Sequence, residues 1–233
     1  MKRLGRPAAG AAAAFAEAGR PAMDTPWLQA GWCAVDLELT GLDPRRSEII
    51  AVGVVPIAEG RILLGSSQYA LARSKQRPEH NAVLIHKLRH ADVADAPPVD
   101  EAIELVLEAL TARVPVFHTA VVERTFLAPQ FSRRRVRLPP AADTEVLGRL
   151  WLAQRDSESP AGVSLARLAR ELGQRAEPPH HALGDALTTA QAFIALARHL
   201  DRVEPQTVGS LVGAAVSGVD GAPGAGFRRF GPA

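Results

Sequence analysis

Trp32-Cys33-Ala34-Val35-Asp36-Leu37-Glu38-Leu39-Thr40-Gly41 begins with four apolar residues and reads as a buried strand. Side chains alternate along a strand, so Asp36 and Glu38 share one face and Leu37 points the other way, into the core. Two carboxylates aimed together at the end of a core strand repel unless a positive charge lies between them. A divalent cation held by oxygen ligands is the usual solution. Taken alone, the pair fits a structural strand-end role equally well.

Outward from this strand, Gly41-Leu42-Asp43-Pro44 turns the chain. Ile49 to Ile57 is apolar and β-branched, a second core strand. Glu59-Gly60 is a hairpin-like turn, and Arg61 to Leu71 a third strand, more polar and nearer an edge. Together the three form an antiparallel meander. Arg73 to Pro98 reads as a loop holding a short helix near 81–86. Helical spacing follows over 99–111, a fourth strand over 114–117 and a helix over 120–131. Further helices are expected over 143–153, 165–172 (capped by Ser164 and stopped by Gly173) and 181–200. The order predicts a mixed α/β domain with helices packed on a sheet. Residues 26–203 form that domain. Residues 1–25, rich in Ala, Gly, Arg and Pro, read as a poorly ordered arm in which Ala11 to Ala18 can form a short helix with little to bury and which can dock late on the domain. Residues 204–233 read as an extension with a short helix near 207–212 and a disordered Gly- and Pro-rich end.

Composition narrows the function classes. Of 233 residues, 47% are hydrophobic and 22% charged, the balance of an ordinary soluble globular protein. Net charge is only +2, so the total says nothing of a partner. Two local basic runs, Arg73/Lys75/Arg77 and Arg133-Arg134-Arg135-Val136-Arg137, fit either a solvated surface or contact with a polyanion. The single cysteine, Cys33, excludes a disulfide framework and a cysteine-rich zinc site. No stretch is long and apolar enough to span a bilayer. The alanine run near the start superficially resembles a signal peptide, but Arg6, Gly10, Glu17 and Arg20 interrupt it. A cytoplasmic protein is expected.

Two further constellations carry chemistry. In His180-His181-Ala182-Leu183-Gly184-Asp185, a helix begins after Pro178-Pro179 and places Asp185 in its first turns. His180 lies on the loop beside it, and histidine is the side chain suited to general base work near neutral pH. In Phe117-His118-Thr119-Ala120-Val121-Val122-Glu123, a strand runs into a helix and Glu123 falls in the early turns. Read singly, His180 and His181 are also exposed polar residues at a helix start, Asp185 a solvated helix charge, and Glu123 a first-turn glutamate favoured by the helix dipole.

The three segments together resemble the 3′–5′ exonucleases of the DEDD superfamily, histidine subclass. The first motif of that group, D-x-E-x-T-G, is matched by Asp36, Glu38, Thr40 and Gly41. The third, H-x-A-L-x-D-A, is matched by His180, Ala182, Leu183, Asp185 and Ala186. The second, H-N-A-x-F-D-x-x-F-L, is matched at His118, Ala120, Phe126 and Leu127. It departs at Thr119, Val122 and Glu123, the last standing where the family has a metal-binding Asp. Asp143-Thr144 resembles the D-T found between the second and third motifs. The resemblance spans about residues 31–200. It implies a ribonuclease H-like α/β fold, with a mixed five-stranded sheet of antiparallel meander and parallel strands flanked by helices. It implies two divalent cations, Mg²⁺ or Mn²⁺, on Asp36, Glu38, Glu123 and Asp185, with His180 as general base. Leu39, Thr40, His118 and Thr119 are the implied contacts to the terminal nucleotide. The implied reaction releases nucleoside 5′-monophosphates from the 3′ ends of DNA or RNA. A polymerase or repair complex and a homodimer are the implied partners. The alternative reading is a catalytically weakened module that binds 3′ ends, for which Glu123 and Thr119 speak. The intact Asp36, Glu38, His180 and Asp185 speak against it, because a binder has no need of a general base.

Overall fold

The computed structural model describes residues 9–155, 161–175, 177 and 180–219. A short helix α1 (Ala11–Glu17) precedes β1 (Gly31–Leu39) and β2 (Ile49–Ala58). The expected third strand is split. Arg61–Ile62 (β3) pairs with one end of β2, a 3₁₀ turn over Leu64–Ser66 intervenes, and Gln68–Leu71 (β4) pairs with the other end. Helices α2 (His80–His86), α3 (His90–Val93) and α4 (Val99–Ala109) follow. Then come β5 (Arg113–Phe117), α5 (Val121–Arg133), β6 (Ala142–Asp143), α6 (Thr144–Arg155), α7 (Leu165–Glu171), α8 (Ala182–Asp201) and α9 (Val208–Val219).

Among the described residues the sheet has six strands, in the order β3-β2-β1-β5-β6 with β4 also on β2. The expected count was five. The split third strand supplies the extra one, because the turn over 64–66 removes residues from the ladder. β1 runs antiparallel to β2 and parallel to β5, so it sits at the centre of the sheet. β6 pairs parallel with β5 through Ala142 and Asp143, the second of which the sequence reading joins to the following helix. Ser164 caps α7 as expected, accepting from the Arg167 N–H at 3.4 Å.

The central strand alternates between two cores. Trp32 and Ala34 face a cluster with Phe193, Leu196 and Leu200 of α8. Cys33, Val35, Leu37 and Leu39 face the cluster built from α1, α4 and α5. Asp36 and Glu38 therefore continue the α8 side of the strand. Trp32 packs on Phe193 with ring centroids 4.6 Å apart. Full burial of such side chains stabilises by about 2–3 kcal/mol each.

The terminal segments contribute more to the fold than their composition suggested. The expected poorly ordered arm contains α1, which lies on α4 and buries Ala11, Ala12 and Phe15. Phe15 meets Phe131 edge-on at 5.6 Å, and the small alanines allow the close approach. Residues 23–26 then clasp the C-terminal segment: Val208 N donates to Thr25 O at 2.9 Å, Gly209 N to Met23 O at 2.7 Å, and Pro26 bridges Thr207. Helix α9 outruns the expected 207–212 and buries Val208, Leu211 and Val212 in the α8-side core. The end expected to be disordered, 218–233, starts inside α9 at Gly218 and Val219, and its remainder, 220–233, lies outside the described residues, as do Pro178 and Pro179. Among the described residues no helix is long and apolar enough to cross a membrane.

Candidate active site

The carboxylates of Asp36, Glu38 and Asp185 converge. One oxygen from each lies within 4.8 Å of the others. Asp36 and Glu38 come from the C-terminal half of β1, and Asp185 from the first turn of α8. The approach of α8 depends on a glycine. Gly53 of β2 pairs with Asp36 across the ladder, and a Cβ on it would stand 2.2 Å from Ala182 O and 2.5 Å from Leu183 N. Only hydrogen at that position lets the start of α8 rest against the strand. On the far side Gly53 pairs with Tyr69, whose ring stacks on His181 at 4.7 Å. His181 is thereby held over β4.

The neighbouring His180 is exposed and has φ 65°. Its backbone N–H donates to Asp185 Oδ2 at 2.8 Å, which ties the loop to the carboxylate it serves. The ring is left to solvent, close enough to Asp185 for their charges to interact.

Glu123 occupies the first turn of α5 and is buried. It stands outside the tight group of three, yet among the carboxylates it has the largest effect on Asp36. Glu123 Oε2 and Glu38 Oε1 are both buried without a hydrogen-bond partner. Burial is the first cause in each case and pushes these acids toward their neutral forms; repulsion by neighbouring carboxylates adds to it at Asp36, Glu38 and Glu123, whereas at Asp185 the His180 N–H and the charges of His180 and His181 pull the other way. Asp36 is raised well above the usual carboxylate range, Glu38 and Glu123 to about 8, and Asp185 is raised as well. Buried, unpartnered oxygens that repel one another fit a hard divalent cation, which supplies both the charge and the ligand bonds they lack.

The remaining predicted residues are placed as follows. Thr40 is buried, and its hydroxyl accepts from Glu48 N at 2.9 Å. Leu39 is also buried, and its carbonyl faces His86. His118 is turned to its own scaffold. Its Nδ1 lies 2.9 Å from Thr144 Oγ1, whose hydroxyl is also 3.1 Å from Phe117 O. Thr119 adopts φ 61° and its hydroxyl donates to Glu145 Oε2 at 3.1 Å. Asp143 holds this turn by accepting from the N–H groups of Thr119 (3.1 Å), Ala120 (2.8 Å) and Glu145 (2.9 Å).

Sequence reasoning missed three contributors. His86 is buried at the end of α2, with Leu88 N donating to its Nδ1 at 3.0 Å. Nε2 therefore carries the proton and donates to Leu39 O at 3.2 Å, bracing the strand next to Glu38. The other two are Gly53 and Tyr69. No local signal marks any of them, since each acts across strands or over long sequence separations.

The profile of the RNase T family, described as an exonuclease, matches residues 33–193. A DNA polymerase III subunit epsilon-like protein from Rhodobacter capsulatus is 29% identical over 74% of the chain, which spans 24% of that relative's length. The DNA polymerase III subunit epsilon of Aquifex aeolicus is 26% identical over 74% of the chain and 83% of its own length. A DNA polymerase III of PolC type from Thermotoga petrophila is 26% identical, and the chain spans 13% of it. The chain thus spans a quarter or less of the Rhodobacter and Thermotoga relatives' length. Among solved structures, exonuclease X in complex with 5′ overhanging duplex DNA superposes with a TM-score of 0.58 at 22% identity, over 78% of this chain and 98% of that one. The nuclease domain of 3′hExo, a DEDDh family member bound to rAMP, gives 0.58 at 17% identity over the same shares. Both share the fold.

Proposed function

The chain belongs to the RNase T exonuclease family, and from that premise we propose that it is a 3′–5′ exonuclease that releases nucleoside 5′-monophosphates by a two-metal mechanism. The observation that carries this reading is the convergence of Asp36, Glu38 and Asp185 within 4.8 Å in a chain of that family. These three and Glu123 would hold two divalent cations, Mg²⁺ or Mn²⁺. When bound, the ions supply the positive charge that offsets the carboxylates and draws electron density from the phosphate under attack. His180, on its exposed loop, accepts the proton of the attacking water and passes it to solvent. The N–H bond from His180 to Asp185 Oδ2 keeps the base within reach of the phosphate as the ring moves. Leu39 and Thr40 border the carboxylates and are assigned to the terminal nucleotide. His118 and Thr119 shape the turn that presents Glu123. Relatives named as polymerase III epsilon make a polymerase or repair complex the proposed setting.

A second reading, a weakened exonuclease that holds 3′ ends without efficient cutting, is favoured by Glu123 standing outside the tight carboxylate group. Digestion separates the two. With Mn²⁺, the protein should shorten a 5′-labelled strand stepwise and release 5′-monophosphates, and EDTA should stop it. A strand that stays intact in both Mg²⁺ and Mn²⁺, at every length from dinucleotide upward, overturns the enzyme reading. Retention of the strand without cleavage would support the second.

A further inference from the structure

Three basic segments far apart in the sequence line one cleft of about 610 Å³. Arg45 and Arg46 come from the turn between β1 and β2, Arg73 and Lys75 from the segment after β4, and Arg133 from the last turn of α5. All five are exposed. The two carboxylates on the lining are already engaged. Glu48 accepts from Ser74 Oγ at 2.6 Å, Lys75 N at 2.7 Å and Gln76 N at 3.2 Å. Asp100 is bonded to Arg134, which is buried and also reaches Glu104 at 3.3 Å. The basic run at 133–137 thus divides: Arg134 is structural, and Arg133 faces the cleft. Among the described residues, Arg45, Arg46, Arg73 and Arg133 are in no ion pair. Five cations against two acids, one hydrogen-bonded and the other paired to Arg134, leave this concave site positive, and such a site attracts an extended anion.

Two apolar side chains on the lining, Ile49 and Phe126, are buried. Phe126 is the only aromatic residue on the lining and is 8% exposed, so a base has no ring to stack on. Recognition here is of phosphates. The cleft also begins where the catalytic strand ends. Ile49 pairs with Leu39, and Thr40 N donates to Glu48 O at 2.9 Å.

We propose that this cleft binds the sugar–phosphate backbone of a nucleic acid at nucleotides remote from the 3′ end being cut. The inference rests on the exonuclease reading above. It makes the chain a binder of long strands, with cation contacts outside the carboxylate site and indifferent to base sequence.

The test compares wild type with the triple variant Arg45→Glu/Arg73→Glu/Arg133→Glu. Binding to a single strand of about 20 nucleotides is measured by anisotropy in Ca²⁺ over a salt series. Turnover is measured on the p-nitrophenyl ester of thymidine 5′-monophosphate, which is too small to reach the cleft. The variant should bind the strand at least tenfold more weakly at about 50 mM salt. Its plot of log K against log salt should be shallower by about 2, the loss of three phosphate contacts. Ester hydrolysis should stay within about twofold of wild type, which also certifies the fold. The milder Arg→Gln triple should fall between. Equal strand binding and equal salt slopes overturn the cleft. A wild type that cleaves neither ester nor strand overturns the exonuclease reading instead.

Discussion

At the scale of single residues, the site turns on Glu123. It has the charge of the family's aspartate and one more methylene, it is buried, and one of its oxygens has no partner. Glu123→Asp should keep strand-degrading activity within about tenfold of wild type or raise it. Glu123→Gln keeps the shape but removes the charge, and should lower the rate by about a hundredfold or more, the scale of losing one electrostatic contact to the reacting phosphate. Steady-state rates in Mn²⁺ check both; an active glutamine variant would remove Glu123 from the site. Asp36 and Glu38 were legible from alternation alone, because period two is a property of any strand. The bonds of His118 to Thr144 and of His86 to Leu39 were not, since they join residues 26 and 47 positions apart.

Among the elements, the seating of α8 on β2 decides whether Asp185 meets Asp36. The contact is backbone on backbone at Gly53, so the helix cannot give way by rotating a side chain. Gly53→Ala should lift the start of α8, lower stability by about 1–3 kcal/mol and cut turnover by more than about tenfold. Thermal melts and turnover of the small ester measure the two effects. Unchanged turnover would show that Asp185 tolerates the displacement. The helices over 99–109, 121–133 and 182–201 were readable from their apolar stripes. The split of the third strand and the two-residue β6 were not, because the pairing partner, not the local pattern, sets where such short pieces begin.

For the molecule as a whole, folding concentrates acids that the unfolded chain keeps apart, and this links stability to pH. Carboxyl groups raised in the folded state bind protons more tightly there than when unfolded. Their penalty is absent below about pH 4 and grows as pH rises toward about 8, the value reached by Glu38 and Glu123. In EDTA, Glu38→Gln should melt close to wild type near pH 4 and at least about 3 °C higher at pH 8.5, with Mn²⁺ closing or reversing the gap. A constant difference across that range would mean that Glu38 is not strained by its surroundings. The termini act at this scale as well: α1 covers α4, and residues 23–26 clasp the segment leading into α9. Composition pointed the other way, because an alanine-rich helix shows no apolar stripe and its burial depends on what it meets. Read as a string, the chain specifies its central strand, the face shared by Asp36 and Glu38, the loop histidine and the order of its motifs. These follow from backbone geometry and residue type within a few positions of one another. Folding supplies the rest: which carboxylates meet, that Glu123 stands apart from the closest three, and that arginines from three segments line one cleft. Those are distances through space, set by packing between elements that no local pattern encodes.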